Sequence, residues 1–454
     1  MSRLLIRNAH IVDSQTDILN GWLTVENGMI TSIGEGDYNR DIEDFTEIIE
    51  AKGRLLMPGV IDEHVHFREP GLTRKADIAS ESATAAAGGV TTFFDMPNTA
   101  PATISEDAWK EKVEISAKKS LVNYAFFIGA KPENLEFLEN ADYTRIPGIK
   151  LFMGATTGSS ASDSDEFLNN LFKVSKAPVA VHAEDEAVIA GARQCVVEKY
   201  GENPPVHCHT EIRSVEACVS ATKKITGLAR KYGKRLHVMH ISTADELRFL
   251  DKGNSGEKLI TAETCPQYLL FDSKDYERLG ARIKCNPSIK TSEDRKKLIK
   301  ATFDGTIDCI ATDHAPHLLT DKEGGALKAA SGMPGVQFSL TLMLEIAGKE
   351  GYGASDVSRL MSSNPAEIWQ IDRRGFIRQG YYADLVLIDR KSPEAITDRD
   401  VLSLCGWTPY IGKQVSYEVD ITWVNGVKVY NRNTGVDRDS KGAKAVRFRM
   451  GEDK

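Results

Sequence analysis

The hydrophobic pattern changes character twice along the chain. Up to about Leu56, short apolar runs alternate with turn residues: Leu4-Leu5-Ile6, Ile11-Val12, Trp22-Leu23-Thr24-Val25 and Ile30-Thr31-Ser32-Ile33. Asn27-Gly28 between two of these runs predicts a β-hairpin, because both residues tolerate the positive φ of a tight turn. From Pro58 the rhythm becomes apolar strand, then helix, repeated. Strands read at 56–62, 90–96, 123–129, 148–153, 179–182, 235–240, 258–263 and 307–313. Strands in that number, separated by helical stretches, predict an α/β fold: a closed parallel TIM-type (β/α)8 barrel. Thr103-Ile104-Ser105-Glu106 reads as a capping box opening one of the helices. After about Phe376 the strand-and-turn style returns, in Ala383-Asp384-Leu385-Val386-Leu387-Ile388-Asp389 and Trp423-Val424-Asn425-Gly426-Val427-Lys428-Val429-Tyr430. The two ends are therefore expected to pair into a small β-sandwich. The expected division is 1–56 for its first part, 57–375 for the barrel and 376–454 for the rest of the sandwich and a tail.

Composition narrows the function classes. A chain of 454 residues with 41% hydrophobic content can bury a large core. Its net charge of -8 argues against a nucleic-acid surface. The basic stretch Arg295-Lys296-Lys297-Leu298-Ile299-Lys300 reads as the wet face of a helix. Seven cysteines stand singly with no Cys-x-x-Cys, which suits a reducing compartment and thiols used as small apolar residues. No apolar run reaches the roughly 18 residues of a membrane span, and the amino terminus carries no signal-like apolar region. A cytoplasmic location, without membrane or nucleic-acid partners, is the expectation.

Chemistry-bearing residues cluster where the barrel strands end. In such a barrel the active site lies at the C-terminal strand ends. His64 and His66 alternate along a strand and so can face one ion together. Asn98 follows strand two, Lys150 lies on strand four, His182 on strand five, His240 on strand six and Asp313 on strand eight. Each histidine alone has a bland reading as a buried core residue. Their convergence on one mouth points to a metal. Lys150 sits in the apolar run Gly148-Ile149-Lys150-Leu151-Phe152-Met153, where burial would lower its pKa. Two readings stay open for it: a neutral amine that takes up carbon dioxide to become an anionic bridging carbamate, or a lysine that snorkels to the rim. His207-Cys208-His209 reads as a loop entering a helix that Thr210 caps, with a second metal site as the rival. His314 is expected to face the opposite side of the strand from Asp313, and His10 and His237 have no comparable company.

These residues resemble the amidohydrolase superfamily: His64-Val65-His66, Lys150, Val181-His182-Ala183-Glu184-Asp185, His237-Val238-Met239-His240-Ile241-Ser242 and Asp313, with Gly380-Tyr381-Tyr382-Ala383-Asp384-Leu385-Val386 near the end. Within it, Phe67-Arg68-Glu69-Pro70-Gly71, Asp95-Met96-Pro97-Asn98-Thr99, Asn286-Pro287 and Asp313-His314-Ala315-Pro316-His317 resemble the class I dihydroorotases. The resemblance implies two divalent metal ions per chain, zinc being the expected metal, and an N6-carboxylated Lys150. It places His64, His66, Lys150 and Asp313 on one ion, and the carbamate, His182 and His240 on the other. It implies that a bridging hydroxide opens a ring amide and that Asp313 shuttles the proton to the leaving nitrogen. The substrate's carboxylate is expected at Arg68, Asn98, Asn286 and His317, since a carboxylate suits a guanidinium flanked by neutral donors. The bland rivals are an ion pair of Arg68 with Glu69 or Glu63, and turn-forming roles for the two asparagines. The implied reaction interconverts L-dihydroorotate and N-carbamoyl-L-aspartate in pyrimidine (UMP) synthesis. Alternatives are another cyclic amidase (dihydropyrimidinase, hydantoinase or allantoinase) and a non-catalytic homologue acting as a scaffold. A homo-oligomer, and association with aspartate transcarbamoylase, are expectations by analogy alone.

Overall fold

Gly59 divides the apolar run that the sequence presents as one barrel strand. In the computed structural model, which describes residues 3–155 and 163–450, Leu55–Pro58 belongs to one sheet and Val60–Val65 to another. The first segment pairs parallel with Arg3–Val12 and antiparallel with Leu385–Ala395. The second pairs parallel with Val90–Asp95. A Cβ at position 59 would lie 2.1 Å from the Thr91 side chain. Only glycine lets the chain cross between the sheets so close to strand two.

The barrel strands follow in order. Val60–Val65, Val90–Asp95 and Asn123–Phe126 form one parallel group. Ile128–Gly129, Ile149–Met153, Val179–Ala183, Leu236–Val238, Ile260–Thr264 and Cys309–Ile310 form the other. Phe127 alone separates Asn123–Phe126 from Ile128–Gly129, so these count as one interrupted strand. A bridge between Val65 and His314, with His66 N donating to the His314 carbonyl at 2.8 Å, closes the ring. Every strand residue is buried, as a parallel sheet covered on both faces requires. Strands six and eight are shorter than their apolar runs, because the chain turns out of the ladder near the mouth.

Local signals shift by a residue or two. The helix Glu106–Lys119 is capped by Ser105, which accepts from Ala108 N, and not by Thr103. Thr103 is buried and tied to Pro97 and Thr99. Thr210 lies inside the helix His209–Ile212 and bonds the Ile289 carbonyl rather than capping.

The two chain ends meet in one nine-stranded sheet with its own core of Leu4, Ile6, Leu23, Val25, Leu385, Leu387 and Trp423. The Asn27-Gly28 turn has φ of 52° and 82° and joins Asp17–Glu26 to Met29–Glu35. Asn425-Gly426 repeats the device between Gln414–Val424 and Val427–Asn431. The result is an α/β barrel with a separate sheet domain. Among the described residues no helix is long and apolar enough to cross a membrane.

Candidate metal centre and its pocket

Burial first sets the protonation of the histidines. Desolvation pushes His66 down to about 4 and holds His182 and His240 below their ordinary range, so all three carry a free lone pair at neutral pH. That is the state a metal ligand needs.

Strand geometry then aims them. His64 and Asp313 are buried on opposite sides of the ring closure, and His66 stands one residue past strand one. His64 Nε2 and His66 Nε2 lie 3.3 and 3.0 Å from the same Asp313 oxygen. The donor atoms of these three residues all fall within 4.8 Å of one another. Across the mouth, His182 Nδ1 faces His240 Nε2 at 2.9 Å. His240 and Asp313 take φ of 42° and 47°, a left-handed conformation costly for a side-chain-bearing residue and concentrated at functional sites.

Lys150 stands between the two groups, buried, with Met239 Sδ at 2.6 Å and the Phe152 ring 4.9 Å away. A thioether is a weak acceptor, so the ammonium is poorly compensated. Burial, only partly countered by Glu263 and Asp313, brings its pKa down to about 7. The rim-snorkelling reading is therefore not what the fold shows: the amine stays inside. One cavity is lined by His64, His66, Lys150, His182, His240 and Asp313 together with Arg68, Asn98 and Asn286.

Two carboxylates with no role assigned from sequence orient this set. Glu263, fourth residue of strand seven, lies 2.5 Å from His64 Nδ1 and also accepts from the His240 backbone N–H at 3.2 Å. It fixes the His64 proton on Nδ1 and leaves Nε2 for a cation. Glu184 lies 2.9 Å from His182 Nε2 and is itself paired with Arg213. Burial opposes ionisation of Glu184, but Arg213 and His182 outweigh it and hold the carboxyl at about 2. A glutamate closing a buried apolar strand was the available signal for Glu263. Asp313 is held below the usual carboxylate range as well: burial raises it, and His64 and His66 more than offset that.

The remaining sequence candidates separate. Asn98 accepts from His66 Nδ1 at 2.8 Å while lining the cavity. Asn286 is held by His209, whose Nε2 lies 3.1 Å from Asn286 Oδ1 and 2.9 Å from the Cys285 carbonyl. His317 is fully buried behind Arg68, at 3.2 Å, rather than on the cavity wall. His314 faces away, bonded to Glu81 at 2.8 Å. His207 and Glu211 are exposed beside buried Cys208, a surface group apart from the mouth. His237 lies at the barrel base between Thr261 and Glu263.

Fold and donor set together match a known family: the profile of the amidohydrolase family covers residues 55–429. The chain belongs to the amidohydrolase family. A dihydroorotase from Methanosarcina acetivorans is 33% identical over 401 residues, 86% of this chain and 84% of that protein. An allantoinase from Escherichia coli is 29% identical over 451 residues, 97% of each. Among solved structures, the L-hydantoinase (dihydropyrimidinase) from Arthrobacter aurescens superposes with a TM-score of 0.92 at 27% identity, covering 98% of this chain and 100% of its own. These amidohydrolase relatives carry the names of cyclic-amide hydrolases acting on different rings. The likeness supports a metal-dependent cyclic-amide hydrolase and leaves the ring to be read from the pocket.

Proposed function

We propose that the protein is a dihydroorotase, interconverting L-dihydroorotate and N-carbamoyl-L-aspartate in pyrimidine synthesis. The observation that carries this reading is Arg68. Its guanidinium is 2% exposed and opens on the same cavity as the metal-ligand group. Among the described residues its polar neighbours are the Pro316 carbonyl and His317 Nε2, both at 3.2 Å, rather than a carboxylate. The rival pairings are taken: Glu69 holds Lys119 and the Ile78 N–H, and Glu63 accepts from Cys309. A buried cation left without an anion costs several kcal/mol, and a substrate carboxylate removes that cost. Dihydroorotate carries one; dihydrouracil, hydantoin and allantoin do not.

The donor set fits two divalent cations. His64, His66 and Asp313 present clustered lone pairs, and His182 and His240 present a facing pair. Lys150, as an N6-carbamate, would supply the anionic bridge between them, and zinc suits the nitrogen-rich set. Bound there, the metals supply an activated water near neutral pH and polarise a carbonyl oxygen. Arg68, with His317, Asn98 and Asn286 around it, holds the ring carboxylate and so sets which amide carbonyl faces Asp313. Asp313 is ionised, takes the proton of the attacking water and returns it to the leaving ring nitrogen. In the reverse direction the same carboxylate accepts a proton from the ureido nitrogen as the ring closes.

The near-complete coverage by the allantoinase favours a second reading, a different cyclic amidase. Turnover of zinc-replete protein on dihydroorotate, dihydrouracil, hydantoin and allantoin tests both. Dihydroorotate is expected to lead by orders of magnitude; equal rates on dihydrouracil would remove the dihydroorotase reading.

A further inference from the structure

The loop after strand one turns back on itself at Gly71, where φ is 84° and a Cβ would meet the Ala100 carbonyl at 2.0 Å. That return carries Lys75, a half-buried residue, to His317. Lys75 Nζ lies 3.1 Å from His317 Nδ1, and Arg68 Nη2 lies 3.2 Å from His317 Nε2. An ammonium and a guanidinium can only donate. Burial and the charges of Arg68, Lys75 and Lys322 hold the imidazole neutral, so it has one N–H and one lone pair for two donors. The Ser331 backbone accepts from the ring as well. Only one of the two cations can be satisfied by His317.

We propose that Lys75 is a positioning residue: by donating to Nδ1 it keeps His317 in the Nε2–H tautomer, which offers Arg68 no lone pair and leaves the guanidinium open to a substrate carboxylate. The Nε2–H has no lone pair to give Arg68, so without an anion the guanidinium N–H facing it is unsatisfied. A substrate carboxylate in the cavity that Arg68 lines satisfies it. If Lys75 is removed, the proton can move to Nδ1 and Nε2 accepts from Arg68. The histidine then competes with the substrate for the guanidinium. This inference rests on the carboxylate site proposed above and assigns a specificity role to a residue that touches no substrate.

The test compares Lys75→Met, Lys75→Arg and Arg68→Ala in the zinc-replete enzyme. Lys75→Met is expected to raise KM for L-dihydroorotate about tenfold while kcat stays within about twofold, the signature of one lost charge-assisted hydrogen bond acting in binding. Lys75→Arg, which still donates, is expected to restore most of the affinity. NMR on isotope-labelled histidine, with the His317 signal assigned by its loss in His317→Gln, should report Nε2–H in the native protein and a shift toward Nδ1–H in Lys75→Met. An unchanged KM in Lys75→Met, or a native Nδ1–H ring, overturns the role of Lys75. If Arg68→Ala also leaves dihydroorotate kinetics unchanged, the carboxylate site itself fails; if Arg68→Ala alone is impaired, only the inference about Lys75 does.

Discussion

The two ends of the pocket are built by opposite rules. At the candidate metal end burial holds His66, His182 and His240 neutral, two of the histidines rest on carboxylates (His64 on Glu263, His182 on Glu184), and every candidate ligand sits on or just beyond a barrel strand. At the other end cations accumulate: Arg68 and Lys75 from a loop, and Lys322 from the short helix Leu319–Lys322, all act on His317. Lys322 is buried with its ammonium on three carbonyls, those of Lys284, Ala330 and Gly332, and burial brings its pKa down to about 7. One end is already compensated and offers lone pairs to a cation. The other is under-compensated and favours an anion. A substrate with a hydrolysable amide at one side and a carboxylate at the other matches that polarity.

Five variants can break or sharpen the contrast. The largest effect is expected at the metal end, where Asp313→Asn preserves shape and removes basicity. Hydrolysis should fall on the order of 10³-fold, as loss of a general base does, while elemental analysis still finds bound metal. A near-native rate in both directions would take Asp313 out of the proton transfer. His182→Ala, by contrast, should lose both activity and one equivalent of metal.

At the anion end, Arg68→Ala should lower kcat/KM for dihydroorotate about 10²-fold or more through lost charged hydrogen bonding. The slow turnover of dihydrouracil should hardly move. If both substrates suffer alike, Arg68 supports the metal end instead and the contrast dissolves.

A smaller effect is expected from Glu263→Gln, which keeps the shape and weakens the hold on His64. Metal affinity should drop about 10- to 100-fold, the usual cost of losing a carboxylate behind a ligating histidine. Zinc titration against a chelator would show it, and an unchanged affinity would reduce Glu263 to packing.

The mildest test concerns Lys150. With a pKa lowered from 10.5 to about 7, about half the amine is neutral at pH 7 and about one tenth at pH 6, against roughly one in 3,000 for an ordinary lysine at pH 7. Carbon dioxide reacts only with the neutral form. At a fixed concentration of dissolved carbon dioxide, reactivation of metal-free protein by zinc should therefore slow about fivefold from pH 7 to pH 6 and approach tenfold per unit below that, and Lys150→Ala should regain some activity with short carboxylic acids. Reactivation independent of pH, together with mass evidence for an unmodified amine in active protein, would exclude the carbamate.

Much of this was legible along the chain, and the omissions share a cause. Period-two alternation put His64 and His66 on one side, Lys150 stood inside an apolar run, and apolar runs ending in His182, His240 and Asp313 marked strand ends. The structure brings all six to one cavity. Glu263 also ends an apolar run, but a single carboxylate there does not announce the imidazole it meets. The loop residues Lys75, Asn286 and His317 gave less away: a loop has no period, so nothing local says where its side chains point. Gly59 shows the limit from another side. One continuous apolar run serves two sheets, and only the approach of Thr91 reveals where it divides.

The sequence by itself determined the alternation of strand and helix, the return of sheet at both ends, the residue types able to bind metal, and their placement at strand ends. Hydrophobic periodicity and turn chemistry are local, so they are written residue by residue. The tertiary structure alone decided which carboxylate backs which histidine, that Arg68 is buried with no carboxylate bonded to it among the described residues, and that two cations compete for one imidazole. Those facts depend on distances between side chains up to 249 positions apart, which packing sets and no local pattern encodes.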